Sequence, residues 1–148
     1  MVGSFTGNKK FVAFIDGASK GNPGESSYAF VLGRRDGTII MEVAARVGIA
    51  TNNEAEYRAL LAVLNQVVEW GGEELRVFSD SQLLVKQINN LYRVKSSRLR
   101  PLYQEAQRKI QKLNKFEIFH IPREENQKAD RLASEILTQK LSFKIEGK

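Results

Sequence analysis

The sequence predicts an α/β layer protein on a five-stranded mixed sheet, three antiparallel strands plus two parallel ones, in the order βββ-α-β-α-α-β-α. Hydrophobic residues alternate with period two through the first third of the chain, then recur at helical spacing. Two further short strand-like runs lie between helices, and such helix-connected strands run parallel to the first.

Each element follows from its local pattern. In "KFVAFID", Phe11, Ala13 and Ile15 lie on one face and Val12, Phe14 and Asp16 on the other, so this strand is expected to deliver Asp16 to its C-terminal end. "SYAFVLG" and "TIIMEVAARVG" continue a meander through a turn at Asp36-Gly37. From "TNNEAEYRALLAVLNQVVEWGG" the period changes, with Ala59, Leu60, Val63, Leu64 and Val67 at helical spacing and Gly71-Gly72 as the stop. Thr51 and Glu54 form the S/T-x-x-E capping box at its start. "LRVFSD" is a short strand ending in Asp80, followed by the helix "SQLLVKQINNL". After the basic connection "YRVKSSRLRP", Pro101 suits the first turn of a helix carrying Leu102, Ala106, Ile110 and Leu113. "KFEIFHIP" is the fifth strand, and "REENQKADRLASEILTQ" closes with a helix.

Composition narrows the function. The 148 residues fit a single domain, 1–148, with a core over about 11–137 and an extension over 141–148. No run approaches the roughly 20 apolar residues of a membrane helix, so a cytoplasmic, monomeric protein is expected. Without cysteine there are no disulfides or thiolate sites, which leaves oxygen ligands or His120 for any metal. The net charge of +6 suits a polyanionic partner, and equally suits a protein that is merely kept in solution.

Asp16 and Asp80 both fall at strand ends, where ligands of parallel sheets bind. Glu56 lies in the first turns of the first helix and Asp130 in the first turn of the last, so four acids distant in sequence are expected to converge. Such a cluster ionises only if cations neutralise it, and carboxylate oxygens without sulfur select Mg²⁺ or Mn²⁺. Taken singly, each acid has a structural reading. Asp16 fits an Asx turn, Asp80 a helix N-cap, and Asp130 a dipole-favouring position on a helix capped by Asn126. Glu56 has no such role, because Thr51 and Glu54 already complete the cap. A basic protein with an acidic metal pocket is the build expected of a metal-dependent nuclease.

"DGASKGNPG" from Asp16, "TNNEAEY" from Thr51, "SDSQ" from Ser79 and "NQKADRLA" from Asn126 together resemble type 1 ribonuclease H, in that family's order and on the same elements. The resemblance implies a ribonuclease H-like fold and hydrolysis of the RNA strand of RNA/DNA hybrids, leaving 5′-phosphate and 3′-hydroxyl ends. Asp16, Glu56, Asp80 and Asp130 would be both the catalytic and the metal-binding carboxylates, holding two Mg²⁺, with Mn²⁺ as a substitute. The bare backbone of Gly17, Ala18, Ser19 and Gly21 would approach the 2′-hydroxyls of the hybrid's minor groove. Matching positions assign Asn22 and Thr51 to a phosphate of the DNA strand, and Asn52, Asn53 and Gln82 to the minor groove.

The chain also departs from that family. Where some members carry a long basic protrusion, "YRVKSSRLR" is compact, so substrate contacts are expected from Arg93, Lys95, Arg98 and Arg100. Many members place a mobile histidine before the last aspartate for product release. His120 is the candidate here although it lies in an apparent strand, and Arg123, Glu124 and Glu125 are the loop alternatives. In "KLSFKIEGK", Leu141, Phe143 and Ile145 form one apolar side, which predicts a docked tail rather than a disordered basic end. Two other classes share these features: a binding-only module of the same fold, which the complete set of acids disfavours, and an integrase-like or related nuclease acting on another duplex.

Overall fold

In a computed structural model, residues 9–139 are described. The expected docking of 141–148 therefore lies outside the described residues. Five strands, β1 (Lys10–Gly21), β2 (Gly24–Arg34), β3 (Ile39–Ala50), β4 (Glu74–Ser79) and β5 (Lys115–His120), form one sheet in the order β3-β2-β1-β4-β5. The β1–β2 and β2–β3 pairs are antiparallel, while β4 runs parallel to both β1 and β5. The four helices are α1 (Asn52–Glu69), α2 (Gln82–Ile88), α3 (Arg100–Ile110) and α4 (Gln127–Thr138), with a short 3₁₀ turn at Arg123–Glu125. This is the predicted element order, and the sheet has the predicted mixture of directions.

The alternation in β1 sorts the layers. Phe11, Ala13 and Ile15 are buried on the face that α1 covers, where they meet Leu60, Val63, Leu64 and Val67 in the core. Phe11 also packs on Trp70 with ring centroids 5.7 Å apart. The opposite face of β1 carries Val12 and Phe14, which share an apolar groove with Asn126 and Ala129 at the start of α4. On that face Phe14, Phe78 and Phe119 stack across three neighbouring strands, at 5.1 and 5.6 Å between centroids.

Two local expectations hold and two need correction. Thr51 caps α1 with the full reciprocal box, Thr51 Oγ1 accepting from the Glu54 amide at 3.1 Å and Glu54 Oε1 from the Thr51 amide at 2.8 Å. Pro101 occupies the first turn of α3, where its missing N–H costs nothing. Asp16, however, does not end its strand. β1 runs on to Gly21 and pairs with β2 along its whole length, so "GASKG" is the arm of a hairpin rather than a loop. Only the parallel pairing with β4 stops near Asp16, at Ile15 opposite Ser79. Nor is Asp80 the cap of α2: Ser81 takes that place, its hydroxyl accepting from the Leu84 amide at 3.2 Å.

Gly17 shows what the hairpin arm must accommodate. A Cβ there would lie 2.5 Å from both the carbonyl carbon of Ala55 and the amide nitrogen of Glu56. Those are backbone atoms of α1 and have nowhere to go, so the absent side chain lets the helix start sit directly on the strand. Gly17→Ala is expected to destabilise the protein by about 1–3 kcal/mol through overpacking. Chemical unfolding checks this, and an unchanged midpoint would show that α1 moves aside freely.

Candidate active site

Beyond Ser79 the chain leaves the sheet, and the gap between β1 and the start of α2 becomes a cleft of about 530 Å³. Its lining includes Asp16 from β1, Glu56 from α1, Asp80 after β4, and Asp130 from α4. All four predicted acids therefore face one space. Carboxylate oxygens of Asp16, Glu56 and Asp80 lie within 4.8 Å of one another. Asp130 stands outside this triad and pairs with the Arg123 guanidinium at 3.5 Å.

The electrostatics are those of anions held together in a dry place. Burial raises Asp16 to about 8, the charges of Asp80 and Asp130 add to the rise, and Arg123 opposes it. Glu56 is raised well above the ordinary carboxylate range, first by burial and then by Asp16 and Asp80, against a hydrogen bond from the Gly17 amide. Among the described residues, Glu56 Oε1 is buried without a hydrogen-bond partner. An orphaned carboxylate oxygen beside two other acids fits a hard divalent cation, since oxygen-only ligand sets suit Mg²⁺ and Mn²⁺. The donor set present thus fits a divalent cation.

The structure distributes the remaining predicted residues unevenly. Gly17, Ala18, Ser19, Asn52 and Asn53 line the cleft. Gly21, Asn22, Thr51 and Gln82 are outside that lining, although Asn22 Oδ1 accepts from the Asn52 amide at 3.0 Å and so ties the β1–β2 turn to the start of α1. Ser19 donates to the carbonyls of Gly21 and Ala50, the latter at 3.3 Å, which holds the hairpin arm in place. Arg93, Lys95 and Arg98 are exposed between α2 and α3, and Arg100 is exposed at the first position of α3. Arg98 reaches Glu54 Oε1 at 3.9 Å, which sets the basic segment beside the capping box. His120 ends β5, exposed and outside the cleft lining, whereas Arg123 lines it.

Ser134, Leu137 and Thr138 also line the cleft and were not foreseen. Their signal was present: Asp130, Ser134 and Thr138 recur at four-residue spacing, which places them on one stripe of α4.

This cleft on a 3-2-1-4-5 sheet defines a ribonuclease H-like protein. The sequence family described as reverse transcriptase-like matches residues 14–136. The chain is 38% identical over 125 residues to the ribonuclease HI of Halobacterium salinarum, across 84% of this chain and 63% of that protein. The bifunctional protein Rv2228c of Mycobacterium tuberculosis is 39% identical over 129 residues, across 86% of this chain and 35% of its own length. The chain thus spans less than two thirds of these relatives. Among solved structures, the Halobacterium salinarum ribonuclease H1 superposes with a TM-score of 0.83 at 38% identity, covering 86% of this chain and 97% of that one. A second, LC11 ribonuclease H1 in complex with an RNA/DNA hybrid, gives 0.81 at 32% identity, covering 85% and 95%. The chain belongs to the type 1 ribonuclease H family.

The raised carboxylates make stability depend on pH. Between its unfolded value near 3.8 and its folded value of about 8, Asp16 binds more proton in the native state than in the unfolded one. Its contribution is therefore fully present below about pH 4 and is lost as pH rises through about 8. In a chelator, Asp16→Asn is expected to raise the melting temperature more at about pH 9 than at about pH 5. Calorimetry of both proteins at both pH values checks this, and an equal difference would remove the pKa shift.

Proposed function

We propose that this protein is an endoribonuclease that hydrolyses the RNA strand of RNA/DNA hybrids. The observation that carries the reading is the triad of carboxylate oxygens within 4.8 Å, together with the partnerless Glu56 Oε1. Asp16, Glu56 and Asp80 would hold divalent cations, Mg²⁺ first and Mn²⁺ as a substitute, with Asp130 at the rim of the same cleft. Two such ions supply a water nucleophile at neutral pH and charge neutralisation for an in-line phosphoryl displacement, which leaves 5′-phosphate and 3′-hydroxyl ends.

The chain's own groups do the rest. Gly17, Ala18 and Ser19 present backbone, and Asn52 and Asn53 amide side chains, to the cleft beside the acids. Backbone amides and carbonyls at close range read 2′-hydroxyls, which are donor and acceptor at once and which DNA lacks. Asn22, Thr51 and Gln82 would extend that surface, and Gly21, whose φ of +93° favours glycine, turns the hairpin there. Arg98 meets the capping box through Glu54, and with the exposed Arg93, Lys95 and Arg100 of the same segment it would meet the phosphates of the same duplex. Arg123, paired with Asp130, is a cationic side chain whose charge opposes the raised pKa of both Asp16 and Glu56. We further propose that residues 1–148 act as a single ribonuclease H domain.

Asp16→Asn and Asp80→Asn are each expected to abolish cleavage of labelled RNA/DNA hybrid while binding persists in gel shifts. Near-normal cleavage by either purified variant would remove the carboxylate assignment. Duplex DNA is expected to be inert, and equal cutting of DNA/DNA would favour a general nuclease instead. Charge reversal at Arg93, Lys95, Arg98 and Arg100 should raise KM and flatten its dependence on salt, because fewer counterions are released on binding. An unchanged salt slope would place the duplex-binding surface elsewhere.

A further inference from the structure

Asn126 joins the 3₁₀ turn to α4, where its residue type suggests an N-cap, yet its side chain makes no capping hydrogen bond. It points inward instead and is 1% exposed. Nδ2 donates to the carbonyl of Ile15 at 2.8 Å and to Asp80 Oδ2 at 3.1 Å. Both partners are acceptors, so the amide nitrogen and not the oxygen must face them. The backbone carbonyl of Asn126 accepts from the Asp130 amide at 3.1 Å, and its own amide donates to the Arg123 carbonyl at 2.9 Å. Oδ1 is buried and has no hydrogen-bond partner among the described residues.

A single residue thus ties the strand position preceding Asp16, the carboxylate of Asp80 and the amide of Asp130. Leaving Oδ1 unpaired in the interior costs stability, so this arrangement is not what stability alone would select. An amide nitrogen is the donor that can serve a carbonyl and a carboxylate together. A carboxylate of the same shape would turn an acceptor toward both. We infer that Asn126 is a positioning residue, which holds Asp80 against β1 and so sets the spacing of the Asp16 and Asp80 carboxylates toward the divalent cation. The inference rests on the metal-dependent reading of the cleft.

The test compares wild type, Asn126→Ala and Asn126→Asp by direct calorimetric titration with Mn²⁺ in the absence of nucleic acid, and by hybrid cleavage over a Mg²⁺ series. Both variants are expected to bind Mn²⁺ about 10–100-fold more weakly, the usual loss when a partner orienting a metal ligand is removed. At saturating Mg²⁺ the KM for hybrid should stay within about twofold of wild type, because Asn126 acts on the acids from behind and does not line the cleft. Folded variants with unchanged Mn²⁺ affinity overturn the positioning role, as does a KM change without a metal change. Should both variants fail to fold, the wild type decides by NMR. The Asn126 side-chain amide protons are expected to exchange slowly and to shift as Mg²⁺ is added, and an amide that exchanges freely or ignores the ion overturns the role. A wild type that neither binds Mn²⁺ nor cleaves hybrid overturns the reading of the cleft together with this inference, whereas loss of the positioning role alone leaves that reading intact.

Discussion

Carboxylates are crowded here in a place too dry for them to ionise independently. Asp16 is 4% and Glu56 8% exposed; burial raises both, Asp80 and Asp130 raise Asp16 further, and Asp16 and Asp80 raise Glu56. Like charges so placed repel by several kcal/mol at the effective dielectric of a protein, about 4 kcal/mol for two unit charges 4 Å apart at a dielectric of 20. No local interaction within β1 or α1 would bring them together. The surrounding fold must, and the groups that hold the acids in place come from all over the chain: the amide of Gly17 on Glu56, the amide of Asn126 on Asp80, and the guanidinium of Arg123 near Asp130.

The sheet supplies the space in which this happens. β1 has two neighbours that keep different company with it: β2 follows it from Phe11 to Gly21, whereas β4 follows it only to Ile15. Asp16 is the first residue of β1 without a parallel partner, and the backbone bond that β4 no longer makes is replaced by one from outside the sheet, Asn126 Nδ2 to the Ile15 carbonyl. A buried carbonyl at such a point needs a donor. The side chain that satisfies it is the same one that reaches Asp80, so closing the sheet and aligning a ligand are one structural act. Behind it, the fully buried Ile15 and the α1 core residues keep the strand from yielding to the repulsion.

Periodicity and capping were legible from the residues because they are local. The 3.6-residue pattern of α1, the Thr51–Glu54 box and Pro101 depend on neighbours a few positions away, and each appears as expected. The misreadings share a different cause. The run "GASKG" looks like loop because glycine disfavours strands in isolation, yet β2 supplies an antiparallel partner for all of it and Gly17 is required by α1 packing rather than by a turn. Asp80 and Asn126 are good caps by type, but Ser81 caps α2 and Asn126 is turned inward by acceptors more than 40 residues away in sequence. Propensity describes what a residue can do alone, and at these positions tertiary partners decide. Arg123 could be named as a loop residue from the sequence, but its pairing with Asp130 and its effect on Asp16 and Glu56 exist only once the distant elements have packed together.

The distribution of charge follows from the same crowding. The chain has a net charge of +6, and the structure keeps four of its cations apart from the acidic triad. Arg93, Lys95 and Arg98 lie in the segment between α2 and α3 and Arg100 opens α3, with Arg98 turned to Glu54 at the start of α1 rather than to the triad. Glu54 Oε1 is already engaged by the Thr51 amide, so this one carboxylate both closes the helix cap and anchors the basic segment. The pairing is exposed on the arginine side and contributes little to stability. Its consequence is spatial: the start of α1, which delivers Glu56 to the acidic cleft, also carries the Glu54 that Arg98 meets. Acidic cleft and basic segment are thereby joined through the first turn of one helix, whose approach to β1 is permitted by the missing side chain of Gly17.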